Sequence, residues 1–116
     1  MRRLSRFIII LAVISALAGV SHAFIREGAI RGRKGLSFSN VQYAFDNVTL
    51  TVSNRTKYNV SFGGSMLFLD RHHRLVARAE VMKGKIKRHS SRRYKAFFTY
   101  GTGNEARSAS FLEWEF

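Results

Sequence analysis

From Leu36 onward apolar side chains recur at every second position, and a period of two admits strands with one buried face and little else. Val48, Leu50 and Val52 alternate with Thr49, Thr51 and Ser53. Leu75, Ala77, Ala79 and Val81 alternate with Val76, Arg78, Glu80 and Met82. Tyr94, Ala96, Phe98 and Tyr100 do the same against Lys95, Phe97 and Thr99. At the end, Leu112, Trp114 and Phe116 share a face opposite Glu113 and Glu115. The centre of the pattern is Val60 to Met82, which reads as a hairpin turning at Asp70 to Arg74. Its oily face needs strands from the flanking segments to cover it. Met66 to Leu69 is apolar on both faces, so this strand is expected inside a sheet.

The breaks in the pattern carry information too. Leu36 and Phe38 alternate in one phase, and Val41, Tyr43 and Phe45 in the other. The slip near Ser39-Asn40 predicts a bulge or a strand that changes sheets. Gly63-Gly64 predicts a bulge or the close approach of another backbone. Turns are expected at Asp46-Asn47, Asn54 to Lys57 and Lys83-Gly84, and a Gly-rich hairpin turn at Gly101 to Asn104. Lys85 to Arg93 is mostly polar, with Ile86 its one clear core residue, and reads as an edge strand or long connection. About seven short strands with regular turns predict an all-β fold, a single antiparallel immunoglobulin-like β-sandwich over residues 36–116.

Ahead of the strands the chain has a different character. Arg2, Arg3 and Arg6 precede an apolar run of 14 residues, Phe7 to Val20, and then Ser21-His22-Ala23. This is the layout of a secretory signal peptide over residues 1–23, and the apolar run is short for a bilayer span. Cleavage after Ala23 gives a product that is periplasmic or secreted. The alternative is an uncleaved anchor holding an envelope component to the inner membrane, and only then is membrane contact expected. Residues 24–35, rich in Gly and Arg, read as a flexible basic linker. Removing the three leader arginines takes the formal charge from +13 to +10, so the basic character belongs to the exported part. The chain has no cysteine, which excludes disulfides, thiolate metal sites, a cysteine nucleophile and a lipidated cysteine. A small exported domain without disulfides points to a bacterial source.

Two stretches carry a family resemblance: Val52 to Thr56, a strand ending in Asn with a small hydroxyl residue after it, and Met66 to Asp70, a hydrophobic strand closing on Asp before Leu75-Val76. Together they resemble the FxLYD-type domains, small extracytoplasmic β-sandwiches of bacteria, over roughly residues 36–116. Met66, Phe68 and Leu69 stand where the naming pattern has Phe, Leu and Tyr, and Asp70 alone matches it by identity. The resemblance implies a binding or structural role with no catalytic residues, and makes Asp70 a turn-former.

Seven of the 13 residues from Lys83 to Lys95 are basic: Lys83, Lys85, Lys87, Arg88, Arg92, Arg93 and Lys95. On a strand, Lys83, Lys85 and Lys87 would line one face and attract polyanions by releasing counterions. The expected partner is an anionic envelope component or an acidic protein; nucleic acid is not expected for an exported chain. Asp70, His72, His73 and His89 do not make a convincing metal site, because adjacent histidines on an extended chain point apart. No metal or other cofactor is expected. Asn47, Asn54 and Asn59 each begin an Asn-x-Ser/Thr triplet, which the turn chemistry of Asn accounts for without a glycan. Ser and His occur without a nucleophile elbow, carboxylate pair or phosphate loop, so the chain reads as a non-enzyme.

Overall fold

The computed structural model describes residues 25–116; the signal peptide expected at 1–23 lies outside the described residues. The elements in order are β1 (Gly28–Ala29), β2 (Leu36–Tyr43), β3 (Asn47–Asn54), β4 (Val60–Leu69), β5 (Leu75–Ile86), β6 (Ser90–Tyr100), the short helix α1 (Gly103–Arg107) and β7 (Phe111–Glu115). The fold is all-β and antiparallel, as the alternation requires. Its seven strands form one sheet in the order β1-β2-β3-β6-β5-β4-β7. That sheet curls into a half-barrel, so its two arms face each other as the layers of a sandwich do, while hydrogen bonding stays continuous between them. Among the described residues no helix is long and apolar enough to cross a membrane.

The curl is visible in which rings meet. Tyr43 on β2 lies edge-on to Phe68 on β4 at 6.0 Å, and Phe38 on β2 meets Trp114 on β7 at 5.8 Å. These strands are far apart in sheet order, so only bending brings their side chains together. Inside the bend sit Val48, Leu50, Val52, Phe62, Met66, Phe68, Ala77, Ala79 and Ala96, all without exposed surface. Trp114 packs its half-buried ring on Phe38 and Phe62, as its place in the pattern predicts, and its indole N–H is buried without a partner. Phe116 is 54% exposed yet docked, stacked parallel on Trp114 at 6.1 Å and edge-on to Phe62 at 5.9 Å.

Both expected irregularities are bend points. The β2–β3 register shifts between Ser39 and Gln42, where Asn40 adopts φ 51°. The β4–β5 register shifts between Phe62 and Gly64. Gly64 has φ 147°, and a Cβ there would stand 2.8 Å from the Glu115 carbonyl and from the Phe116 ring. That is the close approach Gly63-Gly64 foretold.

Four expectations need correction. The segment read as a flexible linker, 24–35, is part of the sheet from β1 onward: Gly28 pairs with Phe38, Ala29 with Ser37, and Ile30 is 2% exposed. Arg33 reaches from it to donate to the Ser61 carbonyl at 2.6 Å and lies over the Phe62 and Phe116 rings. One buried isoleucine and one arginine on aromatic faces outweigh the glycine-rich composition. Second, Lys83-Gly84 does not turn the chain; β5 bulges there and runs on to Ile86. Third, the polar stretch Lys85 to Arg93 is no edge. Its second half begins β6, which pairs β3 along its length from Ser90↔Asn54 to Phe97↔Asn47 and pairs β5 at Val81↔Ala96.

The fourth correction is that Gly101 to Asn104 opens no hairpin. Thr102 caps α1, its hydroxyl accepting from the Asn104 amide while Glu105 reaches back to the Thr102 amide, a reciprocal capping box. The helix carries the chain past β5 and β4, so that β7 pairs β4 from the far side. Ala106 and Ala109 seal this end of the core. A side chain at Gly103 would run into the Ala44 carbonyl, which ties the helix to the β2–β3 turn.

Asn54 does more than turn the chain. It is 1% exposed, and its Nδ2 donates to the carbonyls of Tyr58 at 2.7 Å and Ile86 at 3.1 Å. Its Oδ1 accepts from the amide of Thr56 at 2.9 Å and its hydroxyl at 2.6 Å. One amide thus pins the ends of β3 and β5 and the loop between β3 and β4. Asn54→Ala strands buried groups on both elements and should cost roughly 2–4 kcal/mol. The measurement is urea unfolding, with a lower midpoint and an unchanged slope; a change under about 0.5 kcal/mol, the usual range for a surface site, would refute the role.

Candidate functional site

Because β5 and β6 bury Ala77, Ala79, Val81, Tyr94 and Ala96, their intervening residues face outward. Four of the seven basic residues stand on that outer face: Lys83 and Lys85 on β5 and Arg93 and Lys95 on β6. The Nζ of Lys95 lies 5.9 Å from the centre of the Phe97 ring, and Phe97 and Met82 add exposed apolar surface beside the lysines. Lys87 and Arg88 sit on the β5–β6 connection instead, so the expected stripe Lys83, Lys85 and Lys87 is broken after its second member. There they line an open cleft of about 490 Å³ with Lys57, Tyr58, Asn59 and Ser90. The Asn59 carboxamide fixes this corner by accepting from the Arg88 amide at 3.0 Å.

The two arginines of β6 have local work. Arg92 covers the Tyr94 ring at 5.3 Å and donates to the Lys85 carbonyl at 3.0 Å. Arg93 lies across β3 towards β2. Its Nη1 donates to the Asn40 carbonyl at 2.7 Å and the Thr51 hydroxyl at 3.0 Å; its Nη2 donates to the Thr49 hydroxyl at 2.8 Å and the Gln42 carboxamide at 3.2 Å. The guanidinium therefore fastens the Asn40 bulge through four neutral acceptors, and its charge is left uncancelled.

Among the described residues no carboxylate pairs with any of these seven cations; the ion pairs of the sheet gather on Arg78. Arg78 holds Glu80 at 2.7 Å and Glu115 at 2.9 Å, tying β5 to β7 across β4, and donates to the Ser65 hydroxyl at 3.0 Å. The hydrogen bond from Ser65 and then the Arg78 guanidinium hold the Glu80 carboxyl below its usual range. Asp70 is a turn-former, accepting from the amides of His72 at 2.8 Å and Arg74 at 2.9 Å, and its carboxyl is lowered, first by the Arg74 amide.

The other candidates separate in space. His73 stacks on Phe111 with ring centres 4.5 Å apart, Arg71 donates to the His72 ring at 3.4 Å, and His89 lies on the β5–β6 connection. Among the described residues no three His, Asp or Glu side chains gather for a metal ion. Of the triplet asparagines, Asn54 is buried, Asn47 donates to Asp46 at 2.7 Å, and Asn59 caps the Arg88 amide.

Two further clefts involve residues the sequence did not bring together. One, of about 470 Å³, lies between the free edges β1 and β7 and is lined by Ile25, Phe38, Leu112 and Trp114 among others. The second, of about 1010 Å³, is lined by Arg26, Glu27, residues Asn40 to Tyr43, Arg93 and Arg107. Arg107 donates to the Tyr43 carbonyl at 3.3 Å, and the Tyr43 hydroxyl donates to the Ile25 carbonyl at 2.8 Å. Burial pushes the Tyr43 phenol up to about 12. The available signal for Arg107 was the Thr102-x-x-Glu105 spacing, which marks a helix start and so places Arg107 in its last turn. The chain matches no protein-family model, no curated protein and no solved structure.

Glu80 sets an acid limit on stability. A carboxyl lowered in the folded state adds stability above its ordinary value of 4.5 and loses it as pH falls through the folded value. Glu80→Gln should therefore flatten the dependence of the unfolding midpoint on pH below 4.5. An unchanged acid limb would show that the Ser65–Arg78 cradle does not hold this carboxylate.

Proposed function

We propose that this chain is an exported, non-enzymatic interaction module of the bacterial periplasm or cell envelope, which binds an anionic envelope component or acidic protein through its basic outer surface. The observation that carries this reading is the absence of carboxylate partners on Lys83, Lys85, Lys87, Arg88, Arg92, Arg93 and Lys95 among the described residues. Neighbouring cations held on a rigid sheet repel one another. A polyanion relieves that repulsion and releases its own counterions. Lys83, Lys85 and Lys95 are the contact residues; Arg92 braces the Lys85 backbone, and Arg93 on the same face fastens the Asn40 bulge. The resemblance to FxLYD-type domains supports the non-enzymatic side of the reading, and the leader-like layout of residues 1–23 supports export.

The test compares two variants with the same net charge on a polyanion resin developed with salt. K83Q/K85Q/K95Q removes three cations from the outer face; R31Q/K34Q/R55Q removes three exposed ones elsewhere. The first should elute at clearly lower salt and lose roughly 2–3 units from the slope of log affinity against log salt. The second should elute close to the parent. Equal shifts would mean that net charge alone governs binding, and the proposal would fall.

A further inference from the structure

We infer that the crest of the curled sheet, Lys83, Lys85 and Lys95 together with Met82 and Phe97, docks onto an anionic lipid bilayer. This rests on the anionic-partner reading above and names its partner: a surface that offers phosphate charge and hydrocarbon side by side.

The placement follows from the curl. A half-barrel has a concave inner face, filled here by the core, and a convex outer one. β6 is the middle strand in sheet order, so it lies at the top of the convexity, and its outward residues Arg93, Lys95, Phe97 and Thr99 are all exposed. On β5, beside it, Val81 and Ile86 are both buried although an odd number of positions separates them. One extra residue is therefore taken up between them, at Met82-Lys83 opposite Gly63. Alternation out of Val81 puts Met82 on the outer face, and alternation back from Ile86 puts Lys85 and Lys83 there as well. Glu80 pairs Phe97. The next outward residue on β5 is Met82, and on antiparallel β6 the corresponding step leads to Lys95. These side chains thus hold neighbouring outward positions on adjacent strands. The 5.9 Å from the Lys95 Nζ to the centre of the Phe97 ring sets charge and apolar surface together at one point.

Charge on the crest has one sign. Glu80 is the one acid on β5 or β6, and Arg78 holds it at 2.7 Å. Glu113 and Glu115 stand on β7, at the edge of the sheet and furthest round the curve from β6. Among these cations Met82 is 72% exposed and Phe97 46%. A soluble polyanion would neutralise the lysines and leave both apolar side chains in water. At a bilayer the ammonium groups sit level with lipid phosphates, while their stems and the apolar side chains beside them enter the acyl boundary. Shape favours the same partner. Stable protein pairs bury about 800 Å² on each side, which a convex crest offers only to a matching hollow. A fluid bilayer conforms to it.

The test sediments the protein as purified with phosphatidylcholine vesicles, with and without phosphatidylglycerol. Binding is expected only where phosphatidylglycerol is present. M82S/F97S keeps the net charge, so it should elute from the polyanion resin with the parent yet bind anionic vesicles about tenfold more weakly. Should that variant fail to fold, F97W keeps an aromatic ring and reports its surroundings. Lipids brominated on the acyl chain should quench its fluorescence well beyond that of the parent, whose one tryptophan is Trp114. No binding to anionic vesicles, binding that M82S/F97S leaves unchanged, or F97W fluorescence that brominated lipid does not quench overturns the assignment. So does equal binding to both kinds of vesicle, since insertion of an apolar leader needs no lipid charge. Resin binding through the lysines without vesicle binding would remove the bilayer and leave a soluble polyanion or acidic protein. Failure of the resin comparison with vesicle binding still lost in M82S/F97S would remove the polyanion reading and keep the bilayer.

Discussion

A single antiparallel sheet has one apolar face and, in a chain this short, no second layer to set against it. The face must be folded onto itself. Everything else in this molecule follows from where that bending occurs. Asn40 with its positive φ, the extra β5 residue at Met82-Lys83 opposite Gly63 and the irregular end of the β4–β5 pair supply the curvature. The result is a body only 20 Å thick in its shortest direction, which leaves room for two sheet layers at the usual spacing of about 10 Å and nothing more. The aromatic pairs Phe38–Trp114 and Tyr43–Phe68 are the contacts by which the two arms meet.

Bending also decides where the charge goes. An inner face of Val, Leu, Phe and Ala sends Arg78, Glu80, Lys83, Lys85, Arg93 and Lys95 of β5 and β6 outward. The carboxylates are too few to follow: Asp and Glu total 7 against 20 Lys and Arg. Four of them are engaged in structural work. Asp70 closes a turn, Glu105 completes a cap, and Glu80 and Glu115 hold Arg78 across the sheet. The basic residues of Lys83 to Lys95 therefore meet neutral partners, or none, and the uncancelled positive charge of the surface is a consequence of how the sheet is braced.

Alternation made the strands legible, and breaks in alternation made the bends legible, at Ser39-Asn40 and at Gly63-Gly64. Asp70 was readable as a turn-former because an Asp before a polar turn bonds amides just ahead of it. What period cannot show is which strand lies beside which. Arg92 and Arg93 looked like edge residues because their polarity is what an edge needs. In the fold that polarity is satisfied by the Lys85 carbonyl and by Thr49, Thr51 and Gln42 on strands that lie elsewhere in sequence. Gly101 to Asn104 looked like a hairpin because glycine dominates it, although the Thr102-to-Glu105 spacing of a capping box lay in the same residues. The cleft of Arg26, Arg93 and Arg107 is assembled by topology alone, from positions no local pattern connects.

The central claim is that the polar strand β6 lies in the interior of one continuous curled sheet, between β3 and β5. Amide hydrogen exchange followed residue by residue tests it most directly, because protection depends on ladder bonds and not on side-chain character. The amides of β6 that bond to β3, from Arg92 to Ala96, should exchange as slowly as those in the middle of β4, while the edge strands β1 and β7 exchange faster. Exchange at Arg92 to Ala96 as rapid as in the Asp70 to Arg74 turn would contradict the account.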